Sequence, residues 1–198
     1  MTDSTVTSAS FSISIPLEQA AAPTFSVAEG TFDATQSVVL SSLTAGASIY
    51  YTTDGSVPTS SSALYSSAIS VGVNTTLKAI AIKSGMTSST VASATYNIRV
   101  AAPSFSPAAG SFSSAQNITI TSATPGATIK YTTDSSTPSA TNGLTYSSPI
   151  SLGTTTTVKA IAIKTGMTDS NVSTALYSIT IYSGGGGTPP ADTTPPTF

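Results

Sequence analysis

Ser37–Ser42 reads SVVLSS, and the chain later reads NITITS at Asn117–Ser122. Laid over each other, Val38 and Leu40 fall on Ile118 and Ile120, whereas Val39 and Ser41 fall on Thr119 and Thr121. Successive side chains of a strand point to opposite faces. The set that stays apolar in both copies therefore faces a core, and the set that accepts Thr faces water. The next stretch, ASIYYTTD (Ala47–Asp54), returns as ATIKYTTD (Ala127–Asp134). Ile49 and Tyr51 equate with Ile129 and Tyr131 on the inward side. Tyr50 equates with Lys130, which puts that position outward. The intervening turns, TAGA and TPGA, place Gly46 and Gly126 where a type II turn takes positive φ.

Further along, Leu64–Val71 (LYSSAISV) and Leu144–Leu152 (LTYSSPISL) read as short edge strands. Pro149 supports an edge because Pro cannot donate to a central ladder. The second copy is one residue longer in this region, LTYSSPISL against LYSSAISV, a difference that a loop absorbs. Thr76–Gly85 (TLKAIAIKSG) and Thr157–Gly166 (TVKAIAIKTG) carry two alternating faces. Leu77, Ala79 and Ala81 lie on one face and Lys78, Ile80 and Ile82 on the other, and the pattern alone leaves open which is buried. Small Ala side chains would let two sheets approach closely, which would leave the Ile residues outside. Val91–Ile98 (VASATYNI) closes the unit.

The whole stretch Ala21–Ile98 is repeated as Ala101–Ile179. Met1–Ile13 (MTDSTVTSASFSI) matches the end of both copies, and Pro196-Thr197-Phe198 matches their start. The expected organisation is a closing strand and short linker at 1–20, one unit at 21–100, a second at 101–182, and a Gly/Pro-rich linker with the start of a further unit at 183–198. Six or seven short strands per unit, separated by Gly, Pro, Asp and Ser turns, predict an all-β chain. Two tandem Ig-like antiparallel β-sandwich domains would lie end to end, with an orphan strand at the N-terminus. Periodic chains of this kind are usually extended and structural.

Composition removes several classes of function. Among 198 residues there is no Cys and no His, which excludes disulfides, Cys/His zinc sites and a Ser-His-Asp triad within this chain. Charged residues are 7% with a net charge of −2, far below the usual quarter or so. With no basic patch, nucleic acid and anionic membrane are poor partners. No apolar run is long enough to span a bilayer as a helix.

The residues Pro23…Phe25, Gly30…Phe32, Gly46-Ala47…Tyr51-Thr52-Thr53-Asp54-Gly55-Ser56…Pro58-Thr59, Leu77-Lys78-Ala79-Ile80-Ala81…Gly85…Tyr96 form a recognisable pattern. It recurs with Tyr131-Thr132-Thr133-Asp134-Ser135-Ser136…Pro138 and Val158-Lys159-Ala160-Ile161-Ala162. The repeat resembles the chitobiase/β-hexosaminidase C-terminal domain family, Ig-like modules of secreted and surface proteins. Ser135 departs from the usual Gly. The resemblance implies a noncatalytic spacer, scaffold or binding module, with no active-site residue to carry over.

The candidate residues follow from these readings. Asp54, Gly55 and Asp134, with Gly46 and Gly126, are turn formers, the Asp carboxylates bonding local backbone N–H groups rather than a metal or substrate. Tyr50, Tyr65, Tyr146 and Tyr182 could stack on sugars, although β-sheet Tyr is ordinarily half-buried packing. Asn74, Asn117 and Asn171 each begin a formal N-glycosylation triplet. Phe11, Ile13 and Ile15 alternate with polar positions in Met1–Ile15, as β-strand addition requires. Together with Ile80, Ile82, Ile161 and Ile163 they form the candidate assembly interface. The expected role is a noncatalytic structural repeat of an extracellular or cell-surface array, with other copies of itself or neighbouring repeats as partners and no cofactor. The alternatives are a carbohydrate-binding or spacer module of a secreted polysaccharide-active enzyme, with glycan as partner, and an Ig-like phage or virion surface domain.

Overall fold

The structure, a computed structural model, describes residues 16–181, with Asp3, Thr5, Ser8 and Ser10 ahead of them. Phe11, Ile13, Ile15 and Tyr182 lie outside the described residues. The chain divides into two compact units, Met1–Ile98 and Arg99–Phe198, and the described residues form strands and turns without a helix.

The first unit contains β1 (Thr24–Phe25), β2 (Gly30–Phe32), β3 (Gln36–Val38), β4 (Leu40–Ser41), β5 (Ser48–Thr52), β6 (Ala63–Leu64), β7 (Ile69–Val71), β8 (Thr75–Ile82) and β9 (Ala92–Ile98). Its larger sheet has the order β2-β9-β8-β5-β6, and the opposing layer consists of the pairs β1-β4 and β3-β7. The second unit contains β10 (Ser104–Ser106), β11 (Gly110–Phe112), β12 (Gln116–Thr121), β13 (Thr128–Thr132), β14 (Leu144–Thr145), β15 (Ile150–Leu152), β16 (Thr156–Ile163) and β17 (Ser173–Ile179). Its sheets run β11-β17-β16-β13-β14 and β10-β12-β15. Each unit is thus an Ig-like sandwich.

The period-two pattern positions the core. In the second unit Ile118, Ile120, Ile129, Leu152, Val158, Ala160, Ala162, Ala175, Tyr177 and Ile179 are buried in one cluster. The question left open at TLKAIAIKSG is settled in favour of the small residues: Leu77, Ala79 and Ala81 are fully buried, while Ile80 and Ile82 are half-buried on the other face. A methyl-sized side chain at the middle of a central strand leaves room for Tyr96 and Tyr177, which are both 0% exposed, so volume is shared between neighbouring strands.

Four features differ from the expected pattern. LYSSAISV is not one strand: β6 pairs with β5 in the larger sheet and β7 pairs with β3 in the other, so the chain crosses between layers at 65–68. Its counterpart divides in the same way into β14 and β15. The sandwiches are not wholly antiparallel, because β2 runs parallel to β9, and β11 to β17. SVVLSS breaks at Val39, whereas NITITS is continuous as β12. In the first unit Val39 N–H is taken by Ser26 Oγ at 2.9 Å rather than by a ladder carbonyl, while Ser106 and Thr119 are a regular pair in the second. Finally, Val100 lies in the second core at 1% exposure. It follows Ile98, itself 1% exposed in the first unit, with only Arg99 between them.

Candidate functional site

The most constructed polar region of each unit is the turn after Tyr-Thr-Thr. Asp54 Oδ1 accepts the Ser56 backbone N–H at 2.9 Å and the Ser56 hydroxyl at 2.6 Å. Asp134 Oδ1 accepts the Ser136 N–H at 3.0 Å. Thr52 and Thr132 close the same loops by donating their hydroxyls to the Ser56 and Ser136 carbonyls at 2.6 and 2.7 Å. The Ser56 and Ser136 side-chain hydrogen bonds, then the backbone ones, hold both carboxyls below the ordinary value of 3.8. These carboxylates are acceptors at work within a turn.

The tip residue of the turn is Gly55 at φ 78° in one unit and Ser135 at φ 67° in the other. The Ser135 conformation is one that L-residues other than Asn and Asp seldom adopt. The Lys159 ammonium donates to the Ser135 carbonyl at 2.7 Å. Gly46 and Gly126 sit at φ 72° and 71°, closed by Ala47 N–H to Thr44 O at 3.1 Å and Ala127 N–H to Thr124 O at 3.3 Å.

Beside each Asp turn lies a shallow groove. The first, about 320 Å³, is lined by Tyr51, Thr52, Thr53, Asp54 and Ala63. The second, about 310 Å³, is floored by Tyr131–Asp134 and walled by Asn142, Gly143 and Leu144. Tyr65 packs edge-on to Tyr51 at 6.4 Å, and Tyr146 edge-on to Tyr131 at 6.3 Å. Tyr50 stands half-buried on the opposite face, across from Ile80.

The candidate interface residues are not all equivalent. Ile80, Ile82 and Ile163 are half-buried, but Ile161 is buried at 8% exposure and so does not offer the outward surface expected of it. Its cross-strand neighbour is Lys130 where Ile80 has Tyr50, and the Lys130 ammonium reaches the Gly143 carbonyl at 3.5 Å. A long aliphatic stem held down at its end covers apolar surface in this way. Of the glycosylation triplets, the Asn74 carboxamide oxygen accepts Ile98 N–H at 2.7 Å and so secures the end of β9. Thr155 has the same role for Ile179 at 3.0 Å. Asn117 and Asn171 are exposed.

Sequence reasoning missed two internal devices. Ser89 and Ser170 are buried; each Oγ takes the N–H of Ala81 or Ala162 at 2.8 Å and donates to the next carbonyl at 2.8 Å. The signal was the Ser shared by Met86–Thr90 and Met167–Asn171 amid many exposed serines. In addition, the hydroxyls of Tyr96 and Tyr177 donate to the Val27 and Pro107 carbonyls at 2.8 Å. Burial pushes both phenols above their ordinary value. Among the described residues every buried side-chain nitrogen and oxygen has a partner, and no group of three or more acidic, Cys or His side chains is placed to hold a metal.

The family model described as "Chitobiase/beta-hexosaminidase C-terminal domain" matches residues 27–93 and 107–174, once in each unit. An endoglucanase of Clostridium saccharobutylicum is 54% identical over 44 residues, which are 22% of this chain and 10% of that enzyme, so the matched stretch spans about a tenth of the relative. Among solved structures, the fibronectin(III)-like modules of Clostridium thermocellum CbhA align at 14% identity and TM-score 0.29, covering 80% of this chain and 94% of that one. The four N-terminal Ig domains of Dscam1 isoform 6.9 align at 9% identity and TM-score 0.31, covering 81% and 46%.

Proposed function

Because the chain belongs to the chitobiase/β-hexosaminidase C-terminal domain family, whose noncatalytic Ig-like module it carries twice, we propose that it is a structural spacer within an exported modular protein. One observation carries this reading. Two self-contained sandwiches follow each other with a single residue, Arg99, between the last buried residue of one core and the first of the next. The polar groups that invite chemistry, Asp54 and Asp134, are spent on their own turns. The proposed location is extracellular or on the cell surface, and the proposed partners are neighbouring repeats and other copies of this chain.

The test is retention on insoluble cellulose and chitin together with a soluble glycan panel. A spacer elutes in the void throughout, whereas saturable retention overturns the spacer reading. Self-association through Met1–Ile15 is tested by deleting those residues. If the intact chain forms assemblies that the shortened chain does not, strand pairing stands; identical sedimentation of the two excludes it.

A second reading is a glycan-binding module of a secreted polysaccharide-active enzyme. It is favoured by the 44-residue likeness to an endoglucanase, and the retention experiment decides between the two.

A further inference from the structure

The path by which the chain enters and leaves each sandwich has a mechanical meaning. In the second unit the incoming arm, 99–112, lies along the outgoing arm, 168–180, running in the same direction. Arg99 bridges Thr168 in parallel, and Val100 N–H donates to the Thr168 carbonyl at 2.9 Å. Ser173 Oγ donates to the Pro103 carbonyl, and Tyr177 OH to the Pro107 carbonyl at 2.8 Å. Then β11 pairs with β17 at Gly110–Tyr177, Ser111–Ser178 and Phe112–Ile179, and Thr180 N–H donates to the Phe112 carbonyl at 3.0 Å. The Phe112 ring stacks on Tyr177 at 6.0 Å.

The first unit repeats the scheme. Gln19 bridges Thr87 in parallel, Ala20 N–H donates to the Thr87 carbonyl at 2.9 Å, and Thr87 N–H donates to the Glu18 carbonyl at 2.8 Å. Tyr96 OH holds Val27, and β2 pairs in parallel with β9.

Tension applied through the chain pulls the start of the incoming arm backward and the end of the outgoing arm forward. When the two arms are antiparallel those ends lie together, and the ladder opens one bond at a time. Here they are parallel, so the ends are opposite and the force runs along the strands in opposite senses. All the bonds between the arms are then loaded together. We infer that each unit is a mechanical clamp: the parallel contact of its incoming and outgoing arms resists extension in shear, making the chain a tether that stays folded under tension. This deepens the spacer reading and rests on it for its use in the whole protein.

Single-molecule extension of the full chain tests the inference. The sequence has no native Cys, so paired handles are unique. Ala102→Cys with Thr180→Cys loads the arms in shear. Thr154→Cys with Thr180→Cys pulls on the adjacent ends of the antiparallel β16 and β17. All three sites are exposed. At one loading rate the shear pair yields at roughly threefold higher force, because the three register pairs of β11–β17 break together rather than singly. Contour lengths of about 270 Å and about 90 Å for the two spans identify the events. Equal forces, or a higher force for the 154/180 pair, overturn the clamp. If either variant lacks the parent's thermal transition, Ala22→Cys and Val73→Cys, each combined with Arg99→Cys, give the same comparison in the first unit. Equal forces would leave the spacer reading standing, whereas retention on glycan would remove that reading and leave the force ratio unchanged.

Discussion

Replacing Gly143 by Ala confronts two constraints at once. Gly143 sits at φ 102°, and a Cβ built there would stand 2.7 Å from the Tyr131 carbonyl oxygen and 3.3 Å from Thr132 Cγ2. The backbone conformation alone costs an L-residue about 1–3 kcal/mol. Relieving the carbonyl contact means moving β14 away from β13, where Tyr131 faces Leu144 and Lys130 faces Thr145, at a further ~1 kcal/mol for a weakened ladder bond. The expected loss is about 3 kcal/mol, and a domain of this size then melts about 12–24 °C lower. Differential scanning calorimetry of the full chain reads the result, with the first unit's transition as internal reference. Gly153→Ala is the control, since its Cβ meets nothing within 4 Å and its φ is not in the left-handed region; it should stay within about 0.5 kcal/mol of the parent. If Gly143→Ala lowered the second transition by less than about 4 °C, the conclusion that this position requires glycine would be wrong.

Ser170→Ala strips a buried N–H, that of Ala162, of its partner; chemical denaturation should show a loss of about 1–3 kcal/mol. Val100→Ala should cost the second unit about 2 kcal/mol, measured the same way, because Val100 is 1% exposed in that core. Burial raises the Tyr96 and Tyr177 phenols, so their contribution is complete below about 10 and is lost as pH rises through the raised folded value. Tyr177→Phe should cost about 1 kcal/mol at neutral pH for the lost bond to Pro107, yet flatten the alkaline limb of a stability-versus-pH curve.

Much of the fold was legible because two copies of one sequence act as their own mutational record. Where Val38 and Leu40 exchange with Ile118 and Ile120, only apolar shape is kept, and those positions are buried. Where Tyr50 exchanges with Lys130, the position is outward and half-buried. The reading failed where identity hides context. LYSSAISV looks like one strand because the alternation survives the crossing between sheets. Ile161 looks like Ile80, but the residue beside it differs. Ser89 and Ser170 were invisible among many serines, since a hydroxyl that replaces a ladder acceptor has no compositional signature. Ala20 was read as linker and Val100 as the end of the first unit, because burial there depends on a turn far along the chain.

The crossing at Tyr65–Ala68, and its counterpart between β14 and β15, ties the two layers of each sandwich by peptide bonds. Many small exported sandwiches place a cystine across that gap, and their rigidity then depends on an oxidant having acted. Here the strut is the polypeptide itself. It is complete when translation is complete, needs no isomerase to choose partners, and cannot be cut by thiols, so a tether of such units would keep its strength in reducing surroundings as in oxidising ones.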